Sequence, residues 1–201
     1  MITPTPTHTP RQMSCPGEPV GSPAGAGPSA RYLLLQQACL EDQEKMMLRG
    51  ERPDLEALAE HEYRGFNYTP IAPLLGIRKF IKGFVRQDGP AGPSYSGYNL
   101  PTQQNEPSAE WHGKPDDARA RRFGFYAALP VDARSRDNVY LNAVLLDYAK
   151  GPNPALDPSR TLRDYLVRVD PGSDLLLCGK AYLALGPARV PVGCFLLERL
   201  R

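Results

Sequence analysis

The stretch RGFNYTPIAPLLGIRKFIKGFV, from Arg64 to Val85, decides the kind of fold that this chain adopts. Aromatic and polar residues alternate at its start, which predicts a strand, and Pro70 ends that strand because it has no amide hydrogen to donate. The short apolar run at residues 71–76 ends in glycine and predicts a helical turn or lid that plugs the strand end. Residues 77–85 predict a second strand. Alternation places Arg78, Phe80, Lys82 and Phe84 on one face of it and Ile77, Lys79, Ile81 and Val85 on the other.

Six further segments have the apolar and aromatic character of strands. Few helical patterns lie between them, which disfavours parallel strands joined by helices. The chain therefore predicts a mainly β fold, an eight-stranded antiparallel up-and-down barrel, with a half-open sheet as the alternative. Residues 86–94 contain two Gly-Pro pairs and predict a loop. The six segments are residues 95–100, 122–129, 139–148, 163–169, 175–185 and 190–197.

Helices precede the strands. The apolar spacing over residues 29–48 predicts one helix, with Ser29 as its N-cap and a glycine as its stop. A second, short helix is predicted over residues 53–60, which begin with proline. Residues 1–29 are rich in Pro, Gly, Thr and Ser and predict a disordered tail, which leaves residues 30–201 as a single barrel domain.

The charge balance argues against some partners. The chain has 24 Lys and Arg against 22 Asp and Glu, a net charge of +2, which gives no field that would attract nucleic acid or an acidic membrane surface. Its apolar runs are far shorter than the roughly 18 residues that a spanning helix needs, so membrane insertion is not expected. The N-terminal residues lack the basic start and apolar centre of a secretory signal, which predicts a cytoplasmic protein with reduced cysteines.

The cysteines suggest neither a metal site nor a disulfide. Cys178 and Cys194 fall on the last two predicted strands and are interpreted as small buried hydrophobic residues in preference to a disulfide. The spacings that bind zinc are absent, so no metal site and no cofactor are predicted. No nucleophile elbow or phosphate-binding loop motif occurs, so no catalytic residue is named.

A short motif occurs twice, as Gly65-Phe66-Asn67 and as Gly97-Tyr98-Asn99, each near the end of a predicted strand. One interpretation is structural: the glycine leaves space that an aromatic ring covers, and the asparagine binds the loop backbone. The other is a shared role in ligand binding. Both interpretations remain open at the level of the sequence.

Titratable side chains offer further candidates. Trp111 and His112 lie in the longest polar connection, where they are expected to cover the mouth of the barrel. Lys79, Lys82 and Lys180 fall on predicted strands. Each either faces outward, pairs with Asp147 or Asp164, or supplies a cation to the wall of a cavity.

The candidate ligand-binding residues combine the repeated motif, the long connection and the strand faces on which polar and aromatic side chains mix. On the strand over residues 139–148, for example, Tyr140, Asn142 and Tyr148 share a face with two aliphatic residues. Buried hydroxyl and amide groups need partners, which a ligand can supply. The predicted ligand-binding residues are Tyr63, Asn67, Phe80, Lys82, Tyr98, Asn99, Trp111, His112, Asn142 and Tyr148.

An N-terminal helix, a first strand built around Gly65 and eight meandering strands that end in a hairpin resemble the lipocalin-like (calycin) barrels over about residues 61–199. The lipocalin fingerprint has tryptophan two residues after the glycine, where this chain has Asn67, so no ligand residue is carried over. The passage from TPIAPLLG to KxF is also similar to bacterial lipocalin-like domains of unknown function. The resemblance implies an apolar cup for a small hydrophobic molecule, or an enzyme built from such a cup.

The leading hypothesis is therefore that the barrel binds a small hydrophobic molecule in its interior. A second hypothesis is a barrel enzyme that carries out acid-base isomerisation or cyclisation of an apolar substrate. A third is a structural or protein-interaction module, which would have an occluded interior and an exposed apolar patch.

Overall fold

Eight antiparallel strands close into one barrel in the structure, a computed structural model that describes residues 27–70, 72–74 and 76–201. Each strand pairs with the next along the chain and the last pairs with the first, so the predicted barrel is confirmed and the half-open alternative is excluded. The strands are β1 Glu62–Asn67, β2 Lys79–Gly89, β3 Gly92–Pro101, β4 Phe123–Pro130, β5 Val144–Asp147, β6 Leu162–Arg168, β7 Leu176–Leu185 and β8 Ala188–Arg199.

The α-helices of the described chain come before the barrel: α1 Ala30–Leu35, α2 Leu40–Arg49 and α3 Leu55–Leu58. Ser29 caps α1 as predicted, because its side chain accepts a hydrogen bond from the backbone N–H of Tyr32. None of the helices in the described ranges has the length and apolar character that a membrane span requires.

The predicted single helix over residues 29–48 is wrong, because the chain turns at residues 36–39 between α1 and α2. α1 buries Tyr32, whose hydroxyl donates to the backbone oxygen of Arg64 in β1 at 3.2 Å. α2 buries Met47 against the outer side of β6 and β7. One straight helix cannot press both side chains onto a curved wall, so the chain bends between them.

Residues 86–94 are not the predicted loop. β2 runs to Gly89 and β3 starts at Gly92, so only a two-residue turn joins them. Gly92 has a φ of 104°, a conformation that side chains disfavour, and this allows the tight turn. The prolines are tolerated because the tip of the hairpin is exposed to solvent.

The strand predicted over residues 139–148 is too long, since β5 begins at Val144. Asn142 lies outside the barrel, where its side-chain amide donates to the backbone oxygens of Met47 at 3.0 Å and Gly50 at 2.7 Å. These bonds satisfy carbonyl groups at the C-terminal end of α2 and hold the residues before β5 against that helix. The predicted shared face of Tyr140, Asn142 and Tyr148 is therefore wrong, and only Tyr148 belongs to the interior.

Side chains from all eight strands fill the interior, and the face of β2 that carries Phe80, Lys82 and Phe84 points inward. Leu58 of α3 is fully buried against this core and closes one end of the barrel, which we call the α3 end. At the opposite end, the lid end, residues 68–78 connect β1 to β2. The large buried side chains of the interior are Tyr63, Phe84, Tyr126, Val144, Leu146, Tyr148, Leu166, Leu177, Phe195 and Leu197.

The connection at the lid end forms turns, as the apolar run predicts. Ala72 is fully buried, but the side chain of Leu74 is 84% exposed and does not plug the barrel. Ile71 and Leu75, the other expected members of the plug, lie outside the described residues.

Candidate functional site

Lys82 extends from the middle of β2 into the barrel, opposite Tyr63 of β1 and Asn99 of β3. Strand alternation turns it inward together with Phe80 and Phe84. Its side chain is almost completely buried. Burying a lysine ammonium group away from water is unfavourable in free energy unless the group is paired and hydrogen-bonded. The partners of Lys82 therefore define the site.

Three polar side chains surround the Lys82 amine, and with it they form what we call the Lys82 cluster. The amine donates to the Tyr148 hydroxyl at 2.7 Å and lies 3.2 Å from a carboxylate oxygen of Asp164 on β6. Tyr148 donates to the same carboxylate oxygen at 2.9 Å. Asn99 donates to the Tyr148 oxygen at 3.3 Å and to the backbone oxygen of Gly124 at 2.8 Å. Every member of the cluster is therefore satisfied, as burial requires.

Four aromatic rings enclose the amine. Their centroids lie 4.7 Å from the nitrogen for Tyr126, 5.3 Å for Tyr148, 5.5 Å for Phe195 and 5.8 Å for Phe80. The face of an aromatic ring attracts a cation, and more strongly where water is excluded. The site thus combines apolar walls with one convergent set of polar atoms.

Glycines on neighbouring strands make space for three of these rings. Each glycine pairs directly with the aromatic residue across the strand, and a side chain in its place would overlap the ring. A β-carbon would lie 2.4 Å from the Phe80 ring at Gly65, 2.4 Å from the Tyr126 ring at Gly97 and 2.2 Å from the Phe195 ring at Gly179.

Burial controls the electrostatics of the cluster. It lowers the pKa of Lys82 below its ordinary value, although the charge and hydrogen bond of Asp164 oppose this shift. Burial also raises the pKa of Tyr148 well above its ordinary value, and the nearby Asp164 charge adds to that shift. Tyr148 therefore remains a hydrogen-bond donor, and the lysine releases its proton more readily than an exposed lysine does.

The structure brings part of the predicted ligand set together inside the barrel. Tyr63 lies nearer the α3 end, where its hydroxyl donates to the backbone oxygen of Asp174 at 2.9 Å. Phe80 is only partly buried and lies towards the lid end. The predicted residues that face the interior are Tyr63, Phe80, Lys82, Asn99 and Tyr148.

Other predicted residues lie away from the cluster. Asn67, at the end of β1, donates to the backbone oxygen of Ile77 at 2.5 Å and so binds the lid connection. Tyr98 lies on the outer wall, where its hydroxyl donates to Glu62 at 2.7 Å. It lines an outer groove of about 400 Å³ together with His61. Asn142 caps α2, as described above.

Trp111 and His112 pack along the outer wall of the barrel and do not lie across its mouth. Trp111 donates from its indole nitrogen to the backbone oxygen of Gly65 at 3.2 Å. The Lys79 amine lies 3.6 Å from the centre of the Trp111 ring and donates to backbone oxygens of the long connection. His112 is half exposed, and its ring nitrogens face Glu110 and Asp117 of the same connection. These contacts attach the connection to β1 and β2.

Lys180 differs from Lys82 in its surroundings. It lies on the outer side of β7, where its amine pairs with Glu44 of α2 and donates to the Tyr140 hydroxyl at 3.0 Å. Burial lowers the pKa of Lys180, but the hydrogen bonds with Glu44 and Tyr140 outweigh it and hold the pKa above its ordinary value. This lysine keeps its proton and links α2 to the barrel.

Cys178 and Cys194 are buried and free, in agreement with their interpretation as small hydrophobic residues. Burial raises the pKa of Cys194 to about 11, so the group is a thiol at neutral pH. Neither cysteine has the environment of a reactive thiolate.

The sequence-based ligand set lacks three residues of the site. Asp164 was expected only as a possible partner of a strand lysine, whereas it is the carboxylate of the Lys82 cluster. Tyr126 and Phe195 belong to the aromatic enclosure. Pairing across strands decides these neighbours, and one available signal was that Asp164 is the only acid of β6 and alternates with Leu162 and Leu166 on one face.

No group of three or more metal-ligating side chains exists among the described residues. The chain matches no known family model, no curated protein and no solved structure, so its site is defined by geometry alone.

Proposed function

We propose that the barrel binds a small, uncharged and mostly apolar molecule in its interior, at the Lys82 cluster. The observation that carries this proposal is the pairing of Lys82 with Asp164 and Tyr148 at the centre of an otherwise apolar barrel. Pockets for small molecules are mostly apolar, with a few convergent polar groups, and this arrangement has that composition.

Stability does not account for the buried pair. Replacing a buried ion pair with apolar residues of similar volume is often neutral or stabilising, because two charges must lose their water. A barrel that served only as a scaffold could fill these positions with aliphatic side chains. Perturbed titratable groups that cluster in an enclosed site are a recognised sign of function.

The charges of the cluster indicate the chemistry of the ligand. Lys82 and Asp164 together are neutral, so a ligand with a net charge would leave that charge unpaired in an apolar space. An uncharged carbonyl or hydroxyl group can exchange hydrogen bonds with Lys82 and Tyr148 while the rest of the ligand contacts the rings. The ligand therefore has an aromatic or aliphatic body and one neutral polar group.

The lid end is the expected route of entry. Three inward-facing residues at this end, Phe80, Leu162 and Ala181, are only partly buried, whereas Leu58 seals the α3 end. Side chains fill the interior, so the ligand must displace Phe80 or Phe195. The architecture that the chain shares with lipocalin-like barrels supports an interior site.

A titration with three probes of similar shape tests the proposal. Benzyl alcohol, benzoate and benzylamine differ in charge, and the proposal expects the neutral alcohol to shift the backbone amide signals of β2 and β6 in ¹H–¹⁵N spectra more than the charged probes. Lys82→Met should weaken alcohol binding, whereas Lys114→Met, at an exposed lysine, should not. Shifts confined to the outer wall would contradict an interior site.

Native mass spectrometry of protein purified from its own host can then identify a natural ligand. The expected result is a co-purifying neutral molecule that benzyl alcohol displaces. In the titration with the three probes, a preference for benzoate over benzyl alcohol would show that Asp164 does not balance the charge of Lys82 in the bound state.

A structural or protein-interaction module is the second candidate. The packed interior favours it, as do exposed apolar side chains at the lid end: Leu74 is 84%, Leu156 97% and Leu185 52% exposed. If no probe reaches the interior, while polar replacement of these leucines abolishes association with another protein, this second function replaces the first.

A further inference from the structure

We propose that Lys82 forms a covalent imine with an aldehyde or ketone that enters the barrel. This inference rests on the proposed interior site and names the chemical class of its ligand. It comes from the arrangement of one amine, one carboxylate and one phenol around a single point in an apolar enclosure.

The geometry gives each group a role. The Lys82 nitrogen is the nucleophile, and the Asp164 oxygen at 3.2 Å is close enough to accept its proton. The Tyr148 hydroxyl lies 2.7 Å from the nitrogen and can donate to the oxygen of a bound carbonyl. Asn99 holds the phenol in place through its amide, 3.3 Å from the Tyr148 oxygen.

The reaction balances without any further reagent. The ammonium of Lys82 passes a proton to Asp164, and the free amine attacks the carbonyl carbon while the carbonyl π bond opens. The carbinolamine oxygen receives one proton from the nitrogen and one from Asp164. The C–O bond then breaks and water leaves. The products are a protonated imine and an ionised Asp164, which restores the initial charge pair.

The surroundings favour both the attack and the product. Burial lowers the pKa of Lys82, which enlarges the fraction of neutral amine compared with an exposed lysine. The protonated imine remains a cation, and the rings of Tyr126 and Phe195 lie 4.7 Å and 5.5 Å from the nitrogen. The enclosure also limits the water that would hydrolyse the imine.

Lys180 provides an internal contrast. It too contacts a carboxylate and a tyrosine, but its hydrogen bonds with Glu44 and Tyr140 hold its pKa above the ordinary value. The two lysines thus share their types of partner and differ in the ease with which they lose a proton.

Benzaldehyde with sodium cyanoborohydride tests the inference on the full chain, because the reductant converts an imine into a stable secondary amine. Peptide mass spectrometry after short incubations measures the labelling rate of every lysine in the same sample. The expected result is that Lys82 is labelled about a hundredfold faster than Lys180 and faster than the exposed Lys114, a ratio that general acid-base assistance can supply. Excess benzyl alcohol, which cannot form an imine, should slow labelling at Lys82 only.

Variants of the partners separate chemistry from folding. Tyr148→Phe removes the donor to the carbonyl and should reduce the labelling rate at Lys82 by about tenfold or more, with unchanged labelling at Lys114. Circular dichroism and urea unfolding of the variant check that the barrel remains folded.

The outcomes distinguish this inference from the proposed function. If benzyl alcohol binds in the interior but Lys82 is labelled no faster than Lys180, the imine inference is wrong and the binding function stands. If the alcohol does not bind and Lys82 is not labelled, both are wrong.

Discussion

Lys82 and Asp164 form a buried pair whose contribution to stability can be measured directly. Removing one partner leaves the other charge buried and unpaired, whereas removing both charges leaves an apolar core. Lys82→Met should therefore lower the free energy of unfolding by roughly 3–5 kcal/mol, and the double variant Lys82→Met with Asp164→Leu should recover most of this loss or exceed the original stability.

Urea unfolding at neutral pH measures these differences, with Lys114→Met as the exposed control. A double variant that is less stable than Lys82→Met alone would show that the pair itself stabilises the fold, and would remove the main argument for a functional role.

The same lysine makes stability depend on pH. Burial lowers the pKa of Lys82 in the folded chain, while in the unfolded chain it returns to about 10.4. Between these two values the unfolded chain binds more protons, so the free energy of unfolding should rise with pH. This contribution is lost as the pH falls through the folded pKa.

Unfolding curves from neutral pH to about pH 10 test the sign against the double variant, in which neither group of the pair titrates. The difference in stability between the original chain and the double variant should shift in favour of the original chain as the pH rises. Parallel curves would mean that Lys82 has an ordinary pKa in the fold.

Pairs of glycine and an aromatic residue on adjacent strands are the element that shapes the interior. A β-carbon at Gly179 would lie 2.2 Å from the Phe195 ring, so Gly179→Ala must push that ring towards the Lys82 amine. Gly179→Ala should therefore lower the free energy of unfolding by roughly 1–3 kcal/mol, because it overpacks the interior.

Gly89→Ala is the matched control in β2, because a β-carbon there would meet only the backbone oxygen of Gly92 at 3.7 Å. The control should change the free energy of unfolding by less than about 0.5 kcal/mol. Equal effects of the two substitutions in urea unfolding would show that the ring over Gly179 can move freely.

At the scale of the whole molecule, helices and connections cover the barrel wall. α2 lies on one part of it, whereas α1 and the long connection lie on another, where the rings of Tyr32 and Trp111 pack with their centroids 5.9 Å apart. Ser29 belongs to this outer layer, since its backbone N–H faces the Glu198 carboxylate of β8 at 3.2 Å and its side chain caps α1.

The composition of residues 1–29 predicts a disordered tail, most of which lies outside the described residues. Brief digestion with a non-specific protease should therefore cut before Ser29 and leave a fragment with the circular dichroism and urea unfolding curve of the full chain. Protection of this segment, or loss of structure after its removal, would show that it docks on the barrel.

Local patterns determined the strands of this protein but not their partners. The alternation in residues 77–85 identified the face with Phe80, Lys82 and Phe84, because side-chain direction along a strand depends only on position. The small number of helical patterns between the strands predicted an antiparallel barrel, because parallel strands need long crossover connections. The break between α1 and α2 and the short β5 were missed because contacts with distant elements decide them.

The repeated Gly-aromatic-Asn motif illustrates what only the tertiary structure decided. Asn67 binds loop backbone, as the structural interpretation expects, whereas Asn99 binds the backbone oxygen of Gly124 in β4 and also contacts Tyr148. The rings over Gly65 and Gly97 come from Phe80 and Tyr126 of the next strands and not from the neighbouring residues of the motif. Closure of the barrel brings Lys82 to Asp164, which is 82 residues away along the chain. A register between strands sets such a contact, and no local pattern in the sequence encodes it.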